Sequence, residues 1–159
     1  KVGAVAEFAD FGKKTSKKDL FKIAMCAPNV YVGSICLGAN NVQAIKTLTE
    51  AENHNGPSIV ICYCPCIEHG IKGGMCNSIN EEKLAVECGY TLLMRYKDNK
   101  LYLDSKEPNF DKYEEFLNNE VRYNALKIKD NSLANKLLNI QINNAKERYN
   151  YYNKIKSTD

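Results

Sequence analysis

The sequence lacks any hydrophobic run long enough to cross a membrane. A transmembrane helix needs about 20 consecutive apolar residues, and no segment of this 159-residue chain approaches that length. Internal repeats and low-complexity linkers are absent as well, and the length suits one domain with its own core. With 44% hydrophobic and 26% charged residues, the composition is that of an ordinary soluble globular domain.

No Cys-x-x-Cys pair occurs among the seven cysteines, and their number is odd. The absence of such pairs argues against a self-contained zinc site. Disulfide-stapled secreted domains are smaller than this chain and pair their cysteines, so that class is not indicated either. We therefore predict a reducing compartment, the cytoplasm, in which most of the thiols serve as small buried apolar residues.

Strong charge of one sign is also missing, since the formal net charge is only +3. The charge is unevenly distributed: residues 1–120 contain 14 basic and 16 acidic side chains, and residues 121–159 contain 8 and 3. A basic tail can bind nucleic acid. Here the positive charges are diluted along a helical pattern, so we predict a solvated helical face and neither a nucleic acid nor a membrane as partner.

Strand and helix patterns alternate over the first hundred residues. In chain order we predict a helix capped at 16–19, a strand at 30–37, a helix capped at Asn40 or Asn41, a strand at 58–64 and a helix capped at 78–81. Residues 91–103 suit a hairpin, or a strand followed by an edge strand. The strand at 58–64 is an unbroken apolar run, which is typical of a strand buried on both faces. This order implies parallel pairing with right-handed crossovers.

Beyond Pro108 the pattern becomes wholly helical. We therefore predict an α/β fold in which a parallel, mixed-edge sheet is flanked by helices. Residues 1–105 form this α/β part, and residues 106–159 form a helical extension. The chain begins Lys-Val-Gly, with neither an initiator methionine nor a signal region, which leads us to expect a piece of a larger protein.

A thiol follows the second predicted strand, in a loop that is broken by Pro65 and rich in glycine. Ligands of open α/β sheets collect beyond the carboxyl ends of strands, so chemistry is expected there. Cys62, Cys64 and Cys66 alternate with a period of two, and on a straight strand neighbouring thiols would lie roughly 6.5–7 Å apart. Tetrahedral zinc needs closer sulfurs. We interpret Cys62 and Cys64 as buried apolar residues, and Cys66 as a metal ligand or a reactive sulfur.

The two histidines and the glycines near this thiol leave further readings open. Cys66 and His69 could form a thiolate–imidazole pair for nucleophilic catalysis, but no third group that would orient the imidazole is evident. We expect His69 to bond within its loop, and His54 to cap a helix or to face solvent. The glycines within 70–74 either cradle an anion through their N–H groups or supply positive φ angles.

Seven segments of the sequence occur in the same order in one enzyme family. They are GAVAEF at 3–8, GKKTSKKDL at 12–20, YV at 31–32, EAE at 50–52, GPSIVI at 56–61, PCIEHG at 65–70 and LDSK at 103–106. From residue 1 into the terminal helices, the chain resembles the C-terminal part of the thiamine-diphosphate-binding domain of pyruvate:ferredoxin (or flavodoxin) oxidoreductases. The resemblance implies a thiamine-diphosphate-binding-domain-like fold.

The resemblance also implies an activity and a set of cofactors. Members of this family oxidise pyruvate with coenzyme A to acetyl-CoA and carbon dioxide in anaerobic metabolism, using thiamine diphosphate, Mg²⁺ and 4Fe–4S clusters. The electrons pass to ferredoxin, flavodoxin or a fused reductase, and the parent enzymes are commonly homodimers. The family cysteine that ligates the proximal 4Fe–4S cluster corresponds to Cys66, and no catalytic residue corresponds to a position in this chain.

The chain also departs from the family pattern. The Gly-Asp-Gly motif and the asparagine that hold Mg²⁺ against the diphosphate do not occur in it, and neither do the other three cluster cysteines. We therefore expect the isolated chain to be inactive and to require the remainder of the parent enzyme as its partner. Three alternatives remain: another 2-oxoacid oxidoreductase of the superfamily, a Cys66–His69 thiol enzyme, and a non-catalytic, basic-tailed interaction module.

Overall fold

A computed structural model describes residues 2–157 of the chain. The strands are β1 (Tyr31–Ile35), β2 (Ser58–Cys62), β3 (Met94–Lys97) and β4 (Lys100–Leu103). The helices are α1 (Leu20–Ala24), α2 (Asn41–Glu52), α3 (Ser78–Glu87), α4 (Tyr113–Asn118), α5 (Val121–Lys129) and α6 (Asn131–Ile155), and short 3₁₀ turns cover Met75–Asn77 and Phe110–Lys112. No helix within residues 2–157 is long and apolar enough to span a membrane.

The four strands form one mixed sheet in the order β2-β1-β3-β4. β1 runs parallel to β2, with Tyr31 opposite Ser58, and antiparallel to β3. The prediction of parallel pairing is therefore correct for β1 and β2 and wrong for the other strand pairs of this sheet. The predicted hairpin is confirmed: β3 and β4 are joined by Asp98 and Asn99, whose φ angles of 51° and 58° suit a two-residue turn with left-handed central residues.

The position of β2 in the sheet differs from the prediction. All five residues of β1 are buried, whereas Ser58, Ile59 and Cys62 of β2 are exposed. The prediction that β2 is buried on both faces is therefore wrong for the described chain. The physical reason is that β1 lies in the centre of the sheet between β2 and β3, while β2 is at the edge with a single neighbour.

The helix caps follow the predictions only in part. Asn40 caps α2 as predicted, since its side-chain oxygen accepts from the Gln43 N–H at 2.9 Å. The cap of α1 is Asp19, which accepts from the Lys22 N–H at 3.1 Å, and it is not a serine three residues earlier. α3 has no side-chain cap bond, because the 3₁₀ turn at Met75–Asn77 leads directly into it.

Helix α6 contributes to both of the larger hydrophobic clusters. The first cluster lies on the sheet and includes Phe21, Val32, Met94, Leu101 and Tyr152. The second lies between the helices and includes Ala85, Cys88, Tyr113, Phe116, Leu117, Tyr123, Leu138 and Ala145. Because α6 supplies Tyr152 to one and Ala145 to the other, it packs along the α/β unit and fixes the wall beside the carboxyl end of β2.

Candidate functional site

The residues after β2, here called the thiol loop (63–70), continue the alternation of an extended chain. Cys62, Cys64 and Cys66 are exposed, whereas Tyr63 packs against the second hydrophobic cluster and Pro65 is buried. Successive side chains of an extended chain point to opposite sides, so the three thiols share the solvent side. The prediction that Cys62 and Cys64 are buried is therefore wrong, because the edge position of β2 leaves this side open.

The three thiols line one cavity of about 340 Å³, here called the thiol cavity. It lies at the carboxyl end of β2, where the sheet topology led us to expect chemistry. Its charged and titratable lining also includes Lys17, Lys18, Asp19, His69, Glu120 and Arg148. Cys66 is thus placed where a group from outside the described chain can reach its sulfur.

The thiol loop is closed by its last glycine and anchored to the start of α5. The Gly70 N–H donates to the Cys66 carbonyl at 3.0 Å, and the Val121 N–H donates to the Gly70 carbonyl at 3.4 Å. The Lys72 N–H donates to the Asn119 carbonyl at 2.7 Å. These bonds hold the backbone on the C-terminal side of Cys66.

The glycines that follow Cys66 have a conformational explanation. Gly70, Gly73 and Gly74 have φ angles of 68°, 81° and 85°, a region that residues with a Cβ rarely adopt. The sequence left open whether these glycines cradle an anion or supply positive φ angles. The positive φ angles are sufficient to explain why glycine occurs at the three positions.

Helix α6 stabilises the opposite wall of the cavity. The guanidinium Nη2 of Arg148 donates to the carbonyls of Gly89 and Tyr90, both at 2.7 Å. The Tyr152 hydroxyl donates to the Asp19 carboxylate at 2.8 Å. The segment that precedes α1 and the loop that precedes β3 are therefore both tied to α6, and they hold the cavity open beside the thiols.

The seven cysteines fall into two chemical classes. Cys36 and Cys88 are fully buried, and burial raises the pKa of each thiol to about 12, which makes both poor nucleophiles and poor ligands. Cys62 is exposed, but partial burial of its thiol still raises its pKa, and the neighbouring Cys64 adds to this shift. The prediction that most thiols are buried is therefore wrong, since five are exposed: Cys26, Cys62, Cys64, Cys66 and Cys76.

The histidines do not complete a thiol-enzyme site. Cys66 and His69 both line the thiol cavity, but no hydrogen bond joins the side chains of these two described residues. His54 neither caps α2 nor simply faces solvent, because its Nε2 lies 3.0 Å from the Asn29 carbonyl oxygen. It thereby connects the end of α2 to the turn before β1.

A buried ion network around Arg95 of β3 was not predicted from the sequence. Arg95 is 6% exposed; its Nε and Nη2 donate to Asp104 at 2.8 Å each, and its Nη1 donates to both Glu50 oxygens at 3.0 Å. The hydrogen bonds that Arg95 donates to Asp104 are the main cause of the raised pKa of Arg95. Burial opposes ionisation of Glu50, but the bonds from Arg95 and Lys97 outweigh it and lower the pKa of Glu50.

This network joins α2, β3 and the segment after β4, and its role is structural. In the sequence, Arg95 is 9 residues from Asp104 and 45 residues from Glu50. No local sequence pattern therefore indicates that these side chains are in contact. The one available signal was that Glu50 and Asp104 lie in two of the segments, 50–52 and 103–106, that carry the family resemblance.

The donor set at the thiol cavity fits one ligand of an iron–sulfur cluster. Cysteine thiolates are the usual ligands of such clusters, and Cys66 presents an exposed sulfur at the cavity wall. Among the residues from 2 to 157, no group of three or more His, Cys, Asp and Glu side chains could hold a metal ion. The remaining ligands would therefore come from outside the described chain.

Comparison with known proteins identifies the family, although no protein-family model matches the chain. It is 41% identical to the pyruvate-flavodoxin oxidoreductase of Klebsiella pneumoniae over 97% of its length, and 43% identical to the pyruvate:ferredoxin oxidoreductase of Moorella thermoacetica over 96%. The mitochondrial NADP(+) pyruvate dehydrogenase of Euglena gracilis is 38% identical over 97%. The chain spans only 14%, 13% and 9% of these relatives. It therefore belongs, as a segment, to the pyruvate:ferredoxin and pyruvate-flavodoxin oxidoreductase family.

Proposed function

We propose that this chain is the segment of a pyruvate:ferredoxin or pyruvate-flavodoxin oxidoreductase that supplies one thiolate, Cys66, to the 4Fe–4S cluster nearest the thiamine diphosphate. The observation that carries the proposal is the exposed Cys66 sulfur in the cavity at the carboxyl end of β2. In the whole enzyme, bound thiamine diphosphate would support the decarboxylation of pyruvate, and the bound cluster would accept the electrons.

The residues around Cys66 position its sulfur. Pro65 is buried and fixes the backbone on one side, and the Gly70 N–H fixes the Cys66 carbonyl on the other. A metal ligand whose backbone is held in this way presents its donor atom in one place, which limits the rearrangement needed for ligation.

We propose further that the sheet is part of a larger thiamine-diphosphate-binding domain. The Tyr31 N–H donates to the Pro57 carbonyl, and the Tyr63 N–H donates to the Ile35 carbonyl. The backbone N–H and C=O groups of the alternate residues of β2 therefore point away from β1; these residues are Ser58, Val60 and Cys62. These outward backbone groups form an open edge that a further strand from the parent enzyme would pair. In this architecture residues 1–105 are the α/β part and residues 106–159 are the helical extension.

The remaining partners of the parent enzyme follow from the family. Thiamine diphosphate, Mg²⁺ and coenzyme A would bind through segments outside this chain, and ferredoxin, flavodoxin or a fused reductase would accept the electrons. We propose a homodimeric parent, as the family resemblance implies. We also propose a reducing cytoplasm, because five exposed, unpaired thiols would not persist in an oxidising compartment.

The first test replaces Cys66 by serine in the whole parent enzyme. We expect the variant to lose the native spectrum of this cluster. Pyruvate-dependent reduction of the acceptor should fall at least about tenfold, and pyruvate binding should be affected much less. Electron paramagnetic resonance and the reduction rate measure the two effects. Cys26→Ser is the matched control, because Cys26 is also exposed but lies after α1. A native spectrum with full activity in Cys66→Ser would remove Cys66 from its proposed role.

The second test uses the 159-residue chain alone, incubated anaerobically with iron and sulfide. We expect substoichiometric iron and no 4Fe–4S absorption, because residues 2–157 do not bring three potential ligands together. Iron analysis and the visible spectrum provide the measurement. A stoichiometric 4Fe–4S spectrum on this polypeptide would contradict the proposal that the other ligands come from the rest of the enzyme.

A further inference from the structure

A second cavity, of about 370 Å³, adjoins the thiol cavity, and the function proposed above leaves it without a role. We call it the α6 cavity, because residues of α6 line it together with α1 and the segment before α1. Tyr90 and Arg148 line both cavities. The charged residues in the lining of the α6 cavity are Lys17, Lys18, Asp19, Lys22, Glu147 and Arg148. Basic side chains outnumber acidic ones in this set, so the lining carries a net positive charge.

Gln141 is a buried polar side chain in the wall of the α6 cavity, and its amide donor is unpaired. The residue is only 4% exposed, and its Nε2 has no hydrogen-bond partner among the described residues. An unpaired buried donor destabilises a fold, and buried polar groups in native proteins are normally hydrogen-bonded. An acceptor that enters the α6 cavity would satisfy this donor.

Arg148 adds a second unpaired donor and a permanent charge. Its Nη2 donates to the carbonyls of Gly89 and Tyr90, which fixes the guanidinium. Its Nε is buried and has no hydrogen-bond partner within residues 2–157, and no ion pair of that part of the chain includes Arg148. Arginine remains charged at neutral pH. A partly buried guanidinium without a carboxylate partner therefore favours an anion as the ligand.

Lys22 brings a second cation to the same cavity. Its Nζ lies 4.1 Å from the ring centroid of Tyr151, which also lines the cavity. The nearby carboxylate of Asp19 accepts instead from the Lys22 backbone N–H at 3.1 Å and from the Tyr152 hydroxyl at 2.8 Å. Within the described part of the chain the Lys22 ammonium forms no ion pair, so its charge is available to a ligand.

We infer that the α6 cavity binds a phosphate group, which accepts from Arg148 Nε, Gln141 Nε2 and Lys22 Nζ. A phosphate presents oxygens in several directions, and arginine and lysine are its usual partners in proteins. Binding would pair both buried donors and neutralise the cavity. The inference is independent of the role proposed for Cys66, because none of these three residues is a ligand of the cluster.

The experiment titrates the whole parent enzyme, loaded with its thiamine diphosphate and clusters, in phosphate-free buffer. The probes are inorganic phosphate, adenosine monophosphate and adenosine, and calorimetry measures their affinities. We expect phosphate to bind with a Kd of about 1 mM or lower. Equal affinities for phosphate and the nucleotide would identify free phosphate as the ligand. An affinity for the nucleotide at least about tenfold higher, with adenosine bound weakly, would identify a phosphate ester.

Two variants assign the binding to the α6 cavity. Gln141→Leu should weaken phosphate binding by about tenfold or more, the usual effect of losing a hydrogen bond to a charged group. Its melting temperature should not fall, because the change removes an unpaired donor from the core. Asn143→Leu is the matched control, on the exposed side of the same helix. Lys22→Gln should also weaken binding, and the effect should shrink at high salt. Lys46→Gln, on the surface of α2, is its control.

Three results would overturn the inference. The first is equal phosphate affinity in Gln141→Leu and Asn143→Leu. The second is the absence of phosphate binding in the native parent enzyme, which would indicate that an acidic side chain from the rest of the enzyme fills the α6 cavity. If Gln141→Leu does not fold, the lysine variants decide the question, and equal affinity in Lys22→Gln and Lys46→Gln is the third such result.

Discussion

Replacement of Arg95 by methionine is expected to lower the free energy of unfolding by about 3–5 kcal/mol, the usual cost of removing one partner from a buried ion pair. Methionine keeps much of the side-chain length but leaves the partly buried carboxylates of Glu50 and Asp104, each 18% exposed, without their guanidinium partner. Lys97 and the Tyr31 hydroxyl, both at 3.1 Å, remain as donors to Glu50, and Gln43 Nε2, at 3.0 Å, remains as a donor to Asp104. Of these, Lys97 is the one remaining positive charge. Urea denaturation of the chain at pH 7 measures the loss.

The matched control removes a basic side chain from the surface. Lys112 forms an ion pair with Glu87, and these side chains are 42% and 53% exposed. Exposed pairs of this kind contribute at most about 1 kcal/mol, so Lys112→Met should change the unfolding free energy little. Similar small losses in both variants would show that the Arg95 network does not stabilise the fold.

The same network also sets how the stability of the chain depends on acid. The pKa of Glu50 is lowered from an ordinary value of 4.5, so its contribution is complete above that value and is lost as the pH falls through the lower, folded-state pKa. Native stability should therefore decrease on acidification below pH 4.5. The decrease should be smaller in Arg95→Met, because the bonds from Arg95, the largest of the contributions that lower the pKa of Glu50, are already missing.

The second large effect is expected for Phe116→Ala, at about 3–5 kcal/mol of unfolding free energy, the range for phenylalanine deleted from a core. Phe116 is fully buried, and its ring centroid lies 4.7 Å from that of Tyr90 and 6.3 Å from those of Tyr63 and Tyr113. Its removal would leave a cavity between α4 and the tyrosine that precedes Cys64. Thermal and urea unfolding provide the measurement.

Phe8→Ala is the control for this prediction, because it makes the same chemical change on a side chain that is 97% exposed. A surface change of this kind is usually within about 0.5 kcal/mol of neutral. Phe116→Ala should also increase the reaction of the buried Cys88 thiol, a member of the same cluster, with a thiol reagent, and Phe8→Ala should not. Equal stability of the two variants would contradict the assignment of Phe116 to the core.

Much of the architecture follows from local sequence signals. The first predicted strand, the Asn40 cap, the hairpin turn at Asp98 and Asn99 and the helical segment after Pro108 all occur in the structure. Each depends on residues that are close in the chain: an apolar run, a capping side chain, or two residues that tolerate positive φ. Such signals act over a few residues and remain valid in most tertiary contexts.

The errors about burial and about the ion network share a different cause, since both concerned contacts between distant residues. The burial of Cys62 and Cys64 was inferred from an apolar run, but burial depends on which elements cover a strand, and β2 lies at an edge. The Arg95 network was missed because Glu50, Arg95 and Asp104 meet only after α2, β3 and the end of β4 have assembled. The hydrophobic periodicity of a single helix or strand gives no information about contacts between distant elements.

The amino-acid sequence by itself determined the elements, their order and the presence of a thiol just past Pro65, because these follow from backbone preferences and short-range patterns. Only the tertiary structure decided that β1 occupies the centre of the sheet and β2 its edge. That order exposes Cys62, Cys64 and Cys66 together in one cavity. The physical reason is that strand order and solvent exposure are set by pairing and packing between distant segments, whose free energies no local stretch of sequence contains.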